Sequence, residues 1–119
     1  MATHNDLGRL GESLAVGYLL ENNYVILERN WRFHKAEIDI IAKKEAQIII
    51  VEVKTRNSNF FGDPQSFVSP EKIKLLLKAA NQYLVSNNIP IEARFDILAI
   101  IKNKSTQEIT HFKDAFYHF

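Results

Sequence analysis

A chain of 119 residues, 46% apolar and 24% charged, is sized for one domain around one hydrophobic core, and that composition excludes disorder and fibrous repeats. No apolar run approaches the roughly 20 residues of a membrane-spanning helix. Met1 to Asp6 has no basic stretch followed by an apolar one, so neither a secretory signal nor a membrane partner is expected. The absence of cysteine rules out a disulfide framework and thiolate metal sites, and it suits a reducing, cytoplasmic setting.

A net charge of +1 is a weak argument for a polyanionic partner, but the charges are unevenly placed. Arg29, Arg32, His34 and Lys35 cluster, Lys54 and Arg56 lie close together, and Lys72, Lys74 and Lys78 share one segment. Solvated surface charge accounts for such a pattern, and so do basic margins around an acidic centre.

The spacing of Leu7, Leu10, Leu14 and Tyr18 predicts a helix from Leu7 to about Asn22, with Asp6 as its N-cap. Tyr24–Leu27 reads as a strand that Trp31 to Phe33 extends. Two more strands, Glu37–Ala42 and Gln47–Lys54, are joined by the short polar Lys43-Lys44-Glu45-Ala46 and so form an antiparallel hairpin. Asn57 to Phe67 is a loop. Ser69-Pro70-Glu71 opens a second helix with a serine cap, a proline at the first helical position and an acid in the first turn. Its expected core stripe is Ile73, Leu76, Leu77, Ala80 and Leu84, and Asn87 to Pro90 ends it. Strands Ala93–Ile101 and Glu108–Phe112 follow. The order α-β-β-β-α-β-β, without repeat or linker, predicts one α/β domain over residues 1–119 with a mixed sheet flanked by helices.

Chemistry concentrates on the predicted hairpin. Side chains alternate along a strand, so Glu37 and Asp39 share a face, and Glu52 and Lys54 share another about 7 Å apart. If the hairpin brings the faces together, Asp39, Glu52 and Lys54 converge at its open end among Ile38, Ile40, Ile50, Val51 and Val53. Charge at the margin of an apolar sheet is costly unless it is paired or binds an ion. Two carboxylates suit Mg²⁺, which prefers oxygen ligands and retains water. A neighbouring ammonium then stabilises charge at a phosphoryl group or orients water. A structural salt bridge from Lys54 to Asp39 or Glu52 is the alternative.

Gly8-x-x-Gly11-Glu12-x-x-Ala15, Asn30-x-Arg32, Glu37-Ile38-Asp39-x-Ile41-Ala42, Val51-Glu52-Val53-Lys54-x-Arg56 and Arg94-Phe95-Asp96 occur in an order and spacing that resembles the YraN family of proposed bacterial endonucleases. The match runs from about Leu7 to Phe116. That family in turn resembles the PD-(D/E)XK nucleases, and its acid order is similar to that of archaeal Holliday-junction resolvases. The resemblance implies a restriction-endonuclease-like fold and Mg²⁺- or Mn²⁺-dependent cleavage of DNA, with branched or structured DNA in repair or recombination as substrate. It implies Asp39 and Glu52 as metal ligands, Lys54 as a catalytic residue, Glu12 as the completing acid, and a symmetric dimer. Ala36 stands where that family usually has glycine, and Ile38 rather than proline precedes Asp39 at a position where the superfamily varies; neither change removes a ligand. A nucleic-acid-binding module with little activity is the rival reading.

Arg32, Lys35, Arg56 and Lys72 are the candidate phosphate contacts. Glu37 is either a second acid behind Asp39 or a partner for Arg32. Arg94 and Asp96 share a face and are expected to pair. Gly8 and Gly11, unfavourable inside a helix, are expected where close packing or substrate approach requires them. Trp31 reads as core, and Phe60 and Phe61 as either core or a loop platform for bases.

Overall fold

The computed structural model describes residues 4–58 and 67–116. Helix α1 (His4–Glu21) starts ahead of Asp6, which therefore sits in the first turn instead of capping it. Its charge there still opposes the positive end of the helix. At the other end Asn23 adopts φ 67°, and the Tyr24 N–H reaches back to the Leu19 carbonyl at 2.9 Å, a Schellman closure.

Strand β1 (Val25–Phe33) is continuous through Glu28-Arg29-Asn30, where the sequence pattern suggests an interruption. Among the described residues it pairs only with β2 and lies at the sheet edge, so its polar middle remains exposed without penalty. A bulge between Ile26 and Glu28 and a left-handed Asn30, φ 51°, absorb the irregularity. Strands β2 (Ala36–Lys44) and β3 (Gln47–Arg56) form the expected hairpin. Helix α2 (Pro70–Ser86) begins as the sequence predicts: Ser69 Oγ accepts from the Lys72 N–H at 3.2 Å, with Pro70 at the helix start. Strands β4 (Ala93–Lys102) and β5 (Gln107–Phe112) complete the chain order. Of the predicted loop, Asn59 to Ser66, and with it Phe60 and Phe61, lies outside the described residues.

The five strands lie in the order β1-β2-β3-β4-β5, parallel between β3 and β4 and antiparallel elsewhere. Ile48, Ile50, Phe95 and Ile97 pack with α2 on one face, while Ile49, Val51, Leu98 and Ile100 pack with α1 on the other. Burial on both faces explains why β3 and β4 read as nearly unbroken apolar runs. This α/β architecture, a mixed sheet between two helices, is compatible with the restriction-endonuclease-like fold.

Two packing details sharpen the expectation. The buried stripe of α2 is Ile73, Leu76, Ala79, Ala80 and Tyr83, rotated toward Tyr83 because that ring meets Trp31 edge-on at 5.4 Å. Leu77 and Leu84 are only partly buried against the same cluster. The two glycines of α1 also divide. A Cβ on Gly11 would lie 1.8 Å from Thr55 Oγ1, whereas one on Gly8 would meet nothing within 4 Å. Gly11 thus lets α1 lie directly on β3, while Gly8 opens onto a cavity beside it. Among the described residues, no helix is long and apolar enough to cross a membrane.

Candidate functional site

The site forms where the hairpin splits. The β2–β3 pairing ends at Ile40 and Val51, yet β3 stays with β4 as far as Arg56 and β2 stays with β1 as far as Ala36. The two strands therefore part company at Asp39 and Glu52. Asp39 Oδ2 accepts from the Val53 N–H at 2.8 Å, supplying the acceptor that a neighbouring strand would otherwise provide. Residues two apart normally share a strand face, but Ile38 packs with the α2-side core and Ile40 with the α1-side core. The strand turns over between them, at Asp39.

That placement gives Asp39 access to both sides of the sheet. Toward α2 it lines a cavity of about 360 Å³ with Lys35, Glu37, Ser69 and Lys72. Toward α1 it lines one of about 170 Å³ with Gly8, Glu12, Lys54, Thr55 and Arg56. A larger cavity of about 500 Å³ lies at the opposite end of the hairpin, lined by Tyr24, Lys44, Glu92, Arg94 and Lys113 among others, and touches none of the predicted site residues.

Glu52 is 2% exposed. Its Oε2 lies 2.6 Å from Lys72 Nζ and 3.9 Å from Lys54 Nζ. The short Lys72 contact is an ion pair that falls short of hydrogen-bond geometry, so among the described residues neither Glu52 oxygen has a fixed donor beyond the proton it can share with Asp39. Burial, then a hydrogen bond and charge repulsion from Glu52, push the Asp39 carboxyl up to about 8, against the Val53 N–H and the Lys72 charge. Burial alone would depress Lys72, but its close contact with Glu52 and the charges of Glu52, Asp39 and Glu37 raise it. Glu12 is raised by burial and by Asp39, opposed mainly by the Arg29 charge and the Asn30 amide. Its Oε1 is also buried without a partner.

Among the described residues, no three acidic or imidazole side chains gather closely enough to cage a metal. Glu12 acts on Asp39 through its charge and is not gathered into such a cage. What remains is the Asp39–Glu52 pair of carboxyl groups with Glu12 near Asp39, and both Glu52 oxygens and Glu12 Oε1 lack a fixed hydrogen-bond donor. That donor set fits a hard divalent ion that completes its shell with water, as Mg²⁺ does, and does not fit an all-protein cage.

The basic candidates fall in different places. Lys54 stands beside Glu52 on the α1-side cavity, where the exposed Arg56 also opens. Lys35 lines the α2-side cavity. Arg32 is 78% exposed at its side chain and pairs with Glu37 at 2.9 Å, which assigns Glu37 as its partner. The sequence reading missed the closest contact, that of Lys72 with Glu52. Its only signal was a lysine in the first turn of a capped helix, one residue before the buried Ile73. Asn30, opposite Asp39 on β1, was legible as a motif but not as a neighbour of Glu12.

On β4, Asp96 is fully buried and saturated. Arg94 donates from Nε at 2.9 Å and from Nη2 at 2.7 Å, the Asp114 N–H donates at 3.0 Å, and His111 Nε2 lies 2.6 Å away. His111 Nδ1 in turn lies 3.0 Å from the Tyr18 hydroxyl, and Arg94 Nη2 donates to the Tyr24 hydroxyl at 3.0 Å. The expected Arg94–Asp96 pair is therefore one part of a network tying α1, β4 and β5 together.

The sequence is similar over its whole length to a UPF0102 protein of Flavobacterium psychrophilum, 59% identical over 119 residues with both chains fully covered. A UPF0102 protein of Christiangramia forsetii is 53% identical over the same span, again with both chains fully covered. One from Bacteroides thetaiotaomicron is 45% identical over 117 residues, covering 98% of this chain and 97% of its own. The model of the uncharacterised protein family UPF0102 matches residues 11–100, and with these relatives it places the chain in that family.

Proposed function

We propose that this protein is a metal-dependent endonuclease of the PD-(D/E)XK type, hydrolysing phosphodiester bonds in DNA, with branched or structured DNA in repair or recombination as its substrate. One observation carries the reading: Glu52 is buried opposite Asp39 at a strand fork, with a carboxylate oxygen that nothing in the described protein satisfies. A buried anionic oxygen without a hydrogen-bond donor is unfavourable, and its retention is explained by a ligand. A divalent ion on Asp39 and Glu52 would activate water and neutralise charge developing on the phosphate.

The residues around it divide the remaining work. Lys54, on the same strand face as Glu52, stabilises charge at the phosphate. Glu12 adds negative charge that favours a cation beside Asp39. Arg56 and Lys35 stand on opposite sides of Asp39, one in each cavity, where they can hold successive phosphates of a strand crossing the fork.

The test is incubation with linear, nicked, flapped and four-way DNA in Mg²⁺ or Mn²⁺. Wild type should cut at least one of these, and Asp39→Ala should not. The Lys72–Glu52 ion pair favours a second reading, because it lets the fold tolerate Glu52 without metal. On that reading the protein is a DNA-binding module with little activity, acting with a repair partner, and wild type would bind these substrates in a salt-dependent manner without cutting them.

A further inference from the structure

Among the described residues Glu52 has two cationic neighbours, and the nearer comes from α2, not from the hairpin. Lys72 Nζ stands 2.6 Å from Glu52 Oε2, nearer than Lys54 at 3.9 Å. The two ends of Lys72 are held differently. Its backbone N–H is fixed by the Ser69 cap, while its side chain remains 41% exposed and borders the cavity it shares with Lys35 and Asp39. A long, flexible side chain anchored at a capped helix start can swing without unfolding the helix.

We propose that Lys72 is the resident cation of the acid site: it holds Glu52 while no divalent ion is bound, yields that carboxylate when one binds, and turns to a substrate phosphate in the α2-side cavity. This rests on the metal-dependent reading given above. Two cations competing for one buried carboxylate are mutually exclusive, since an ammonium within 3 Å of the oxygen repels a divalent ion at the same atom. Once displaced, the ammonium is a mobile point charge suited to phosphate. Metal binding and substrate binding are then coupled through one side chain. An ordinary structural salt bridge would stabilise Glu52 equally in both states and couple nothing.

The experiment measures Mg²⁺ affinity by calorimetry in wild type, Lys72→Met, Lys72→Arg and Lys35→Met, with four-way DNA affinity in EDTA and in Ca²⁺. Lys72→Met should bind Mg²⁺ about tenfold more tightly than wild type, as expected if a modest competing ion pair is removed. Lys72→Arg keeps the charge and should stay near wild type. Lys35→Met changes the same cavity without touching Glu52 and should also stay near wild type. DNA affinity of Lys72→Met should match wild type in EDTA and fall severalfold in Ca²⁺, where Lys72 is free to reach phosphate.

Unchanged or weaker Mg²⁺ binding by Lys72→Met, with wild type binding normally, overturns the role of Lys72 and leaves the metal site standing. Equal tightening in Lys35→Met also overturns it, because the effect is then general electrostatics. If neither wild type nor Lys72→Met binds a divalent ion, this proposal and the metal-dependent reading fall together. Should Lys72→Met fail to fold in EDTA, its refolding on addition of Mg²⁺ supports the exchange, and failure to refold at any Mg²⁺ concentration overturns it.

Discussion

Two carboxylates are buried almost completely on neighbouring strands, Glu52 on β3 and Asp96 on β4, and the protein treats them in opposite ways. Asp96 receives two bonds from Arg94, one from the Asp114 backbone and a close contact from His111. Glu52 has ion pairs to the half-exposed Lys72 and, at longer range, to Lys54, but among the described residues no backbone or guanidinium donor on either oxygen. A buried acid whose acceptor positions are all filled has no capacity left for a ligand, so its role is to fasten elements together. One left unsatisfied next to Asp39, which itself borders two cavities, retains that capacity. The same fold therefore holds a structural acid and a candidate ligand acid side by side, and burial alone does not tell them apart.

Removing each acid should separate the two roles most sharply. Asp96→Ala leaves Arg94 and His111 without their anion inside the protein, and breaking such a pair commonly costs about 3–5 kcal/mol. Urea unfolding should show a loss of that size, and a loss below about 1 kcal/mol would mean the network is not structural. Glu52→Gln should change stability by no more than about 1 kcal/mol in metal-free buffer, since Lys72 can return to water. The same substitution should remove Mg²⁺ binding, which calorimetry would detect.

Catalysis offers an intermediate effect confined to one side of the comparison. Lys54→Ala should slow single-turnover DNA cleavage on the order of a hundredfold to a thousandfold, a barrier increase of about 3–4 kcal/mol. Metal affinity should be largely spared, because an ammonium is not a ligand. A variant that cuts as fast as wild type would remove Lys54 from the chemistry.

The dependence on pH should have opposite slopes at the two places. Burial works to raise Asp96, but the His111 and Arg94 contacts and the Asp114 N–H together lower it below 3.8. Its contribution is complete above the unfolded value and is lost as pH falls through the lower folded one. Asp39, beside Glu52, is raised from 3.8 to about 8. It holds its proton longer in the folded state, so its contribution is complete in acid and declines as pH rises between those values. Metal-free stability curves for wild type and Asp39→Asn should differ by the loss of that decline, and parallel curves would contradict the assignment.

Much of this organisation is legible in the sequence, for physical reasons that vary by element. The Ser69-Pro70 start of α2 and the hairpin of β2 and β3 are local signals, set by capping chemistry and a short polar turn. Asp39 and Glu52 could be matched because strand alternation and the hairpin register are arithmetic once the turn is fixed. The middle of β1 was not legible, since an edge strand carries polar residues such as Glu28 and Asn30 without the burial that would force a pattern. The Lys72 contact depends on how α2 is laid over the sheet, 20 residues after Glu52 in the chain, and no local spacing encodes that. The saturation of Asp96 was half visible: Arg94 shares its strand face, but His111 and Asp114 arrive from beyond the next turn.

The fork between β2 and β3 also equips the site with its own reporter. The Val53 amide proton is held by the Asp39 side chain instead of a strand carbonyl, so its resonance and exchange rate follow the state of that carboxyl. A nitrogen-edited spectrum followed during Mg²⁺ titration would single out this amide among its β3 neighbours, whose partners in the sheet do not change. One backbone signal thus reads the occupancy of the acid site directly, without substrate and without a label on any functional side chain.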